Sequence, residues 1–459
     1  MRILAILGTW LLAITLAWLA VSPAELASLT AQGVTPDWWS WWTLRQHALY
    51  LSGLWSIGLM SLAMVLALRL PLLERPLGGM DQVYRLHKWV GIGAVLAGLL
   101  HWSAEKSGGW IKHLWLVLRR PAHDAVLPWA APLHHLAGHV GEWAFYALLL
   151  MIALTLWQRL LSYRRWRVLH RAMPVLYLLL AGHAVALAPL AFWNRPLGLV
   201  LAGMLILGSL AALWSLTGRI GLRRSHAARV HSVAALGQAA DAPLEVVCAM
   251  PPTWPGHRAG QFVFASFDAD EGAHPFTIAS APGALGCGEQ GEPLLRLVIK
   301  PLGDYTRTLA QRLRVGQDAR IEGPYGRFGL WRRGAREQVW VAGGVGVTPF
   351  LALLEARQPG ADARQAKQTP VEMHYCTRDA DRDALLPRLR RLCDAAQPPV
   401  ALTVHSAARN QHLTAQQLRR GMARLDVWFC GPAGLEQALR RGLGSDGGVR
   451  FHREVFAMR

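Results

Sequence analysis

Six apolar runs, around residues 3–21, 47–68, 86–103, 141–157, 172–193 and 197–216, are each about long enough to cross a bilayer as a helix. In lipid every backbone amide must find its partner inside its own segment, which leaves such runs little choice but the helix. After about Arg223 the pattern changes to short strands, turns and helices in alternation. A membrane half therefore precedes a soluble half.

Four histidines stand in or beside these runs. His87 and His101 are 14 residues apart, and His170 and His183 are 13 apart. At about 1.5 Å rise per residue each pair spans roughly 20 Å, so one member lies towards either face of the membrane. An ionisable residue in a membrane helix is costly and marks a functional site, and neutral imidazole is a common iron ligand. Two helices so equipped can hold two stacked haems. A packing hydrogen bond explains one membrane histidine well, but four at matching depths poorly. Fourteen residues is nearly four whole turns, whereas thirteen leaves His170 and His183 off one face of an ideal helix. Pro174 supplies a kink that can restore the phase, although proline also occurs in membrane helices that bind no haem.

The formal net charge of +19 does not point to nucleic acid, because the basic residues cluster beside the spans instead of forming one face. Arg69, Arg75 and Arg85 follow the second span. Arg159, Arg164, Arg165, Arg167 and Arg171 surround the fourth-to-fifth connection, and Arg219, Arg223 and Arg224 follow the sixth. By the positive-inside rule these connections are cytoplasmic. The first-to-second connection, with Glu25 and Asp37 and no Lys or Arg before Arg45, faces outward. The third-to-fourth connection carries Lys106, Lys112, Arg119 and Arg120 against the rule, and span parity still places it outside. His87 with His170 then form an inner haem site, and His101 with His183 an outer one. Ligation by two imidazoles fills both axial positions, which suits electron transfer more than oxygen binding at iron.

Other outer groups read more blandly. His47, His113, His123, His134, His135 and His139 fit interfacial positions in a wet loop, with a weaker alternative that some shape an acceptor site. Arg45 can pair with a haem propionate or snorkel to the interface. Trp38, Trp39, Trp41 and Trp42 need only be an aromatic belt. Residues 1–21 have the outline of a signal peptide, but the apolar run exceeds the usual length, so a retained span is expected. All five cysteines, Cys248, Cys287, Cys376, Cys393 and Cys430, fall in the soluble half without metal-ligand spacing. They fit a reducing cytoplasm without disulfides or iron–sulfur clusters.

In the soluble half, strand-like Gln261-Phe262-Val263-Phe264 precedes His274-Pro275-Phe276-Thr277. Then come Leu297-Val298-Ile299-Lys300, the turn Gly303-Asp304-Tyr305-Thr306 and a helical stretch. A glycine turn entering a helix offers backbone amides and a positive dipole end to a pyrophosphate, and Lys300 and Arg307 add charge. Val339-Trp340-Val341-Ala342 reads as a buried parallel strand followed by Gly343-Gly344-Val345-Gly346-Val347-Thr348-Pro349, with Pro349 placed for a first helical turn. The glycines let a pyrophosphate approach, although the spacing departs from the usual dinucleotide fingerprint. Val427-Trp428-Phe429-Cys430 running into Gly431-Pro432 is consistent with a second loop at the same sheet edge.

The histidine separations, His274-Pro275-Phe276-Thr277 and the Gly343–Pro349 loop, in that order, resemble the family of membrane ferric reductases and NADPH oxidases over nearly the whole chain. The resemblance implies a membrane all-α six-helix bundle at 1–222, an FAD-binding β-barrel domain at 223–332 and an NAD(P)H-binding α/β domain with a parallel sheet at 333–459. It implies two haem b groups on His87, His101, His170 and His183, with FAD contacted around His274, Pro275, Phe276 and Thr277. Pyrophosphate contacts are implied near Gly303 and Thr306, and nicotinamide contacts at Thr348, Cys430, Gly431 and Pro432. In such modules a terminal aromatic covers the flavin ring and moves aside for nicotinamide. Phe456 is the candidate, with a core position behind the last strand as its alternative. Thr277, Cys430 and Phe456 are the implied catalytic residues.

Arg378 can bind the 2′-phosphate that separates NADPH from NADH, or join Asp379, Asp381 and Asp383 in a salt-bridged loop. The resulting expectation is an inner-membrane enzyme with its C-terminal module in the cytoplasm. Electrons pass from NAD(P)H through FAD and two haems to an outer acceptor, a ferric chelate ahead of oxygen, quinone or a periplasmic redox protein. The cationic third-to-fourth connection favours an anionic chelate. A haem-binding sensor or carrier is the non-enzyme alternative.

Overall fold

The structure is a computed structural model. It describes residues 2–21, 41–114, 131–157, 163–239, 241–268, 271–329, 337–361, 370–419, 424–444 and 448–454. The chain divides into two compact units: Met1–Leu73 with Gln82–Ile220, and Glu74–Asp81 with Gly221–Arg459.

The first half is helical: α1 Arg2–Leu19, α2 Trp41–Ala67, α3 Pro71–Leu77, α4 Met80–Leu114, α5 Ala131–Leu156, α6 Tyr163–His170, α7 Met173–Leu187, α8 Leu190–Trp193 and α9 Pro196–Leu216. Among the described residues, four stretches are long and apolar enough to cross a membrane: Leu44–Ala67, Pro132–Leu156, Arg164–Leu187 and Pro196–Leu216. The other two expected spans are helical but miss that mark. In α1 the apolar part, Ile3–Leu19, is short. In α4 the polar side chains of His87, Lys88, His101, Glu105 and Lys106 dilute the apolar run.

The helices pack through small residues. A Cβ at Gly208 of α9 would lie 2.1 Å from the Tyr177 hydroxyl of α7 and 2.9 Å from Ser61 of α2. Tyr177 and Ser61 share a buried hydrogen bond of 3.0 Å at the same crossing. Close backbone approach and shared hydroxyls replace the hydrophobic drive that lipid does not supply.

Between α6 and α7 the helix is interrupted at Arg171 and Ala172. Pro174 has no N–H to return to the preceding turn, and it sits at the start of α7 instead of kinking a continuous helix.

In the second unit, β1 Ser225–Ala235, β2 Leu244–Ala249, β3 Phe262–Ser266, β4 His274–Thr277, β5 Leu294–Ile299 and β6 Asp318–Tyr325 form one antiparallel sheet in the order β4-β3-β6-β1-β2-β5. Its two outer strands are linked by an antiparallel bridge between Ile278 and Leu297. The Ala279 N–H also donates to the Arg296 carbonyl at 2.8 Å. The enclosed core includes Val230, Val246, Val263, Leu295 and Ile321, with Leu309 of helix α10 (Asp304–Arg312) packed on it.

The C-terminal part contains β7 Glu337–Gly343, α11 Thr348–Glu355, β8 Val371–Thr377, α12 Leu386–Ala395, β9 Ala401–Ser406, α13 Ala415–Arg419, β10 Leu425–Cys430, α14 Ala433–Leu443 and β11 Val449–Arg453. Its five strands are parallel, in the order β11-β10-β7-β8-β9. Helices cover both faces, as a parallel sheet requires: Phe350, Leu354 and Leu389 pack on one side and Leu418, Leu439 and Leu443 on the other. The chain runs outward from β7 through β8 to β9 and returns to β10 on the other flank. That reversal makes the carboxyl ends of β7 and β10 the topological switch point of the sheet.

Candidate functional site

In the helical unit the four histidines meet in two pairs. The His87 and His170 rings are 6.2 Å apart between centroids at 74°, and those of His101 and His183 are 6.3 Å apart at 89°. Imidazole–metal bonds of about 2 Å, with each ring centre about 1 Å behind its ligating nitrogen, put two rings on opposite sides of one metal about 6.3 Å apart. Both pairs fit that arrangement.

Backbone carbonyls orient three of the rings. Nδ1–H donates to Ala63 from His87 at 3.0 Å, to Leu49 from His101 at 2.9 Å, and to Ala137 from His183 at 2.8 Å. A carbonyl can only accept, so Nδ1 carries the proton and Nε2 keeps its lone pair for a metal. For the outer pair, glycine makes room one turn beyond each acceptor. A Cβ at Gly53 would stand 2.9 Å from His101 Nδ1, and one at Gly141 would stand 2.0 Å from His183 Nδ1. His170 differs: its buried Nδ1 has no hydrogen-bond partner among the described residues, and its ring stacks on Trp166 at 5.0 Å and 19°.

The neighbouring outer groups are mostly engaged. Arg45 is ion-paired to Glu105 at 2.8 Å, one turn beyond His101, and not turned to solvent. Lys106 pairs with Glu142 at 2.6 Å. His47 meets Trp18 edge to face at 5.8 Å, while His134, His135 and His139 are exposed. The side chains of Lys112, His113, Trp41 and Trp42, and all of Arg119, Arg120, His123, Trp38, Trp39 and Arg159, lie outside the described residues.

In the second unit, β4 carries His274, Pro275, Phe276 and Thr277 along the sheet edge, where a proline costs no ladder hydrogen bond. His274 stacks on Tyr305 at 4.6 Å and 13°. Burial pushes the Tyr305 phenol up to about 12, so it stays a neutral platform. At the start of α10 the Thr306 hydroxyl accepts the N–H groups of Leu302 and Gly303, each at 3.0 Å. It closes the turn, and Lys300, the residue after β5, is half-buried.

At the carboxyl edge of the parallel sheet the two glycine loops touch backbone to backbone. A Cβ at Gly346 would lie 2.3 Å from the Cys430 carbonyl, and one at Gly343 would lie 2.5 Å from Pro432 and 3.3 Å from Gly431. Gly344 takes a positive φ of 55°, which favours glycine there. Thr348 and Pro349 open α11, both buried, and Pro349 takes a first-turn position. Cys430 and Val347 share one core cluster with Ala279 and Ala281 from the chain just after β4. The chain just after β4 and the two glycine loops thus border one core. The cradle is bare backbone and small side chains, the form a dinucleotide needs.

Sequence reasoning missed Glu454. It is 7% exposed, and neither carboxylate oxygen has a hydrogen-bond partner among the described residues. Burial, and then the nearby charge of Asp81, raise its pKa well above the usual carboxylate range. Burial and then Glu454 likewise raise the Cys430 thiol. A lone glutamate near a chain terminus carries no sequence sign of burial. Phe456, two residues on, lies outside the described residues.

At the end of β8, Arg378 is exposed and 3.9 Å from Asp241. The aspartates around it are occupied elsewhere: Asp381 by Arg409 at 2.6 Å, Asp379 by Arg382 at 3.7 Å, and Asp383 by the hydroxyls of Tyr375 at 2.7 Å and Thr377 at 2.5 Å.

Residues 52–181 match the family model described as the ferric reductase like transmembrane component. The match takes in His87, His101 and His170 and stops two residues before His183. Among curated proteins, the chain is similar to the vanillate O-demethylase oxidoreductase of Pseudomonas putida, 31% identical over 162 residues, 33% of this chain and 45% of that protein. It is also similar to the flavohemoprotein of Bordetella pertussis, 30% identical over 208 residues, 39% of this chain and 47% of that protein. The chain spans about half the length of the curated relatives it matches. Among solved structures, the flavohemoglobin from Malassezia yamatoensis with bound FAD and heme aligns at a TM-score of 0.46 and 16% identity, covering 90% of this chain and 98% of that one. Residues 52–181 are thus similar to the ferric reductase like transmembrane component, and about a third of the chain is similar to an oxidoreductase.

Proposed function

We propose that this chain takes hydride from NAD(P)H in its C-terminal unit and delivers electrons across the membrane, to a ferric chelate before other acceptors. The observation that carries the reading is the two imidazole pairs at 6.2 and 6.3 Å, three of whose four rings are tied to carbonyls through Nδ1. In this reading the chain spans an inner membrane six times with the C-terminal unit in the cytoplasm. Residues 223–332 close as an FAD-binding barrel through the Ile278–Leu297 bridge, and 333–459 bind the nicotinamide nucleotide. FAD, when bound, supplies the change from hydride to single electrons, and two haem b groups supply one-electron carriage.

His87 and His170 would hold the inner haem and His101 and His183 the outer one, each through Nε2. The Nδ1 hydrogen bonds fix ring orientation and raise ligand basicity. His274, held flat by Tyr305, would line the flavin with Pro275, Phe276 and Thr277. Gly343, Gly346 and Gly431 would admit the pyrophosphate, and Thr348, Cys430 and Pro432 would flank the nicotinamide. Glu454, kept protonated by burial, would hold a proton at its carboxyl beside Cys430. The exposed Arg378 would take the 2′-phosphate, which favours NADPH over NADH. Phe456 would cover the flavin ring.

The test uses full-length protein purified in detergent. A pyridine haemochrome assay should give two haem b per chain, and anaerobic NADPH should reduce both only when FAD is present. Ferric chelate should then reoxidise the outer haem faster than oxygen does. Absence of protohaem, or NADPH that binds without reducing it, would reject the proposal in favour of a nucleotide-binding sensor or carrier.

A further inference from the structure

Arg296 and Glu355 are the more buried half of a ring of four charges, all in the second unit. Arg296 of β5 meets Glu355, the last residue of α11, at 2.6 Å and Glu245 of β2 at 3.4 Å. Arg388 of α12 meets the same two carboxylates, Glu245 at 2.6 Å and Glu355 at 3.7 Å. Signs alternate around the ring, so each charge has two opposite neighbours. The Arg296 and Glu355 side chains are only 6% and 9% exposed. Glu355 stands there against local preference, because a carboxylate in a last helical turn faces the negative end of the helix dipole. A residue that breaks a local rule and is held in place by its partners marks a position with a role.

The ring grips one short piece of main chain, residues 278–281, directly after β4. The second carboxylate oxygen of Glu355 accepts the Ala281 N–H at 3.0 Å. The Arg296 N–H donates to the Ser280 hydroxyl at 3.1 Å, and the Arg296 carbonyl accepts the Ala279 N–H at 2.8 Å. His257 Nε2–H donates to the Ser280 carbonyl, and the Ile278 N–H to the Gln261 carbonyl, each at 3.0 Å. Four consecutive residues thus each have a main-chain group fixed. At the other end of the link all of α11 is buried, and Phe350 and Leu354 share one core with Ala279 and Ala281. Ala281 is four residues from Thr277, at most about 14 Å of chain. Glu355 is seven residues from Thr348, about 10 Å along the helix. In the reading above Thr277 lines the flavin and Thr348 flanks the nicotinamide.

We propose that Arg296 and Glu355 are positioning residues, which hold residues 278–281 against the end of α11 and so set the separation across which hydride passes from nicotinamide to flavin. The proposal rests on the electron-transfer reading above. Taking charges out of water costs about as much as their attraction returns, so the ring as a whole contributes fixed geometry more than stability. Hydride transfer depends on such geometry, since the reacting atoms have to meet at about 3–3.5 Å and a displacement of about 1 Å costs about 100-fold in rate.

The test uses full-length protein in detergent and the variants Glu355→Gln and Arg296→Lys. In FAD-free protein, amide hydrogen exchange of a peptide covering 278–282 should be at least about ten-fold faster in both than in the native chain. With FAD bound, anaerobic flavin reduction at saturating NADPH, taken per flavin, should slow about 10- to 100-fold while NADPH affinity stays nearly native. The isotope effect with deuterated NADPH should also depend more steeply on temperature. Asp318→Asn, which breaks the exposed pair with Arg229, should change none of these. A native reduction rate per flavin in both variants would overturn the positioning role, whatever the exchange shows. Loss of bound FAD in both would overturn it as well, since the ring would then be structural. Should NADPH fail to reduce the flavin of the unsubstituted chain, the electron-transfer reading fails, and the hold on 278–281 is judged by exchange alone.

Discussion

Single side chains set most of the chemistry. Gly141 leaves no space for a Cβ, which would sit 2.0 Å from His183 Nδ1. Under the proposed haem ligation, Gly141→Ala should push the ring off its carbonyl and lower the haem content from two per chain to one, read by haemochrome assay. Arg378 offers an exposed guanidinium, and a charge-assisted bond to phosphate is worth about 1.5–3 kcal/mol. Arg378→Ala should raise KM for NADPH roughly 10- to 100-fold and leave KM for NADH nearly unchanged, as steady-state kinetics with both donors will show. Glu454 has a raised pKa in the folded chain, so between the ordinary value of about 4.3 and the raised one the native state holds a proton that the unfolded state has released. Its contribution to stability is complete below that window and is lost as pH rises through it. In Glu454→Gln, melting temperature against pH should lack this decline. The four histidines and the glycine loops were legible as residues because their types are rare in such contexts. Glu454 and the orienting carbonyls were not, since burial and backbone acceptors are supplied by distant parts of the chain.

At the level of elements, the two sheets of the second unit are joined by a buried charge network. Arg296 of β5 pairs with Glu355 of α11 at 2.6 Å, and Glu355 also accepts the Ala281 N–H at 3.0 Å. Arg388 of α12 pairs with Glu245 of β2 at 2.6 Å. Removing one partner of a buried pair strands the other, at about 3–5 kcal/mol. Glu355→Ala should therefore lower the temperature at which FAD fluorescence is released by several degrees, whereas the exposed Arg409–Asp381 pair should be nearly silent when broken. Strands and helices here were readable because apolar runs bounded by glycine and proline announce them. The network was not, because Arg296 and Glu355 look like surface residues until the fold brings them together. Pro174 shows a subtler limit: the sequence marks a perturbation, but whether it bends a helix or starts a new one depends on the turn that precedes it.

For the molecule as a whole, the two-part organisation was visible in hydropathy alone, yet the division is not a single cut. Residues 74–81 belong to the second unit although they lie between α2 and most of α4 in sequence. Glu74 there accepts the Gly326 N–H at 2.6 Å, and Arg224 stands 4.0 Å away. A fragment of residues 221–459 should accordingly melt lower than the same unit in the full chain, measured by FAD release. The arrangement also imposes an order on biosynthesis. Glu74 leaves the ribosome 252 residues ahead of its partner amide, which at about 5–20 residues per second means a delay of roughly 10–50 s. During that interval the segment has to remain soluble and unclaimed, so the second unit cannot reach its final form until translation is most of the way through the chain.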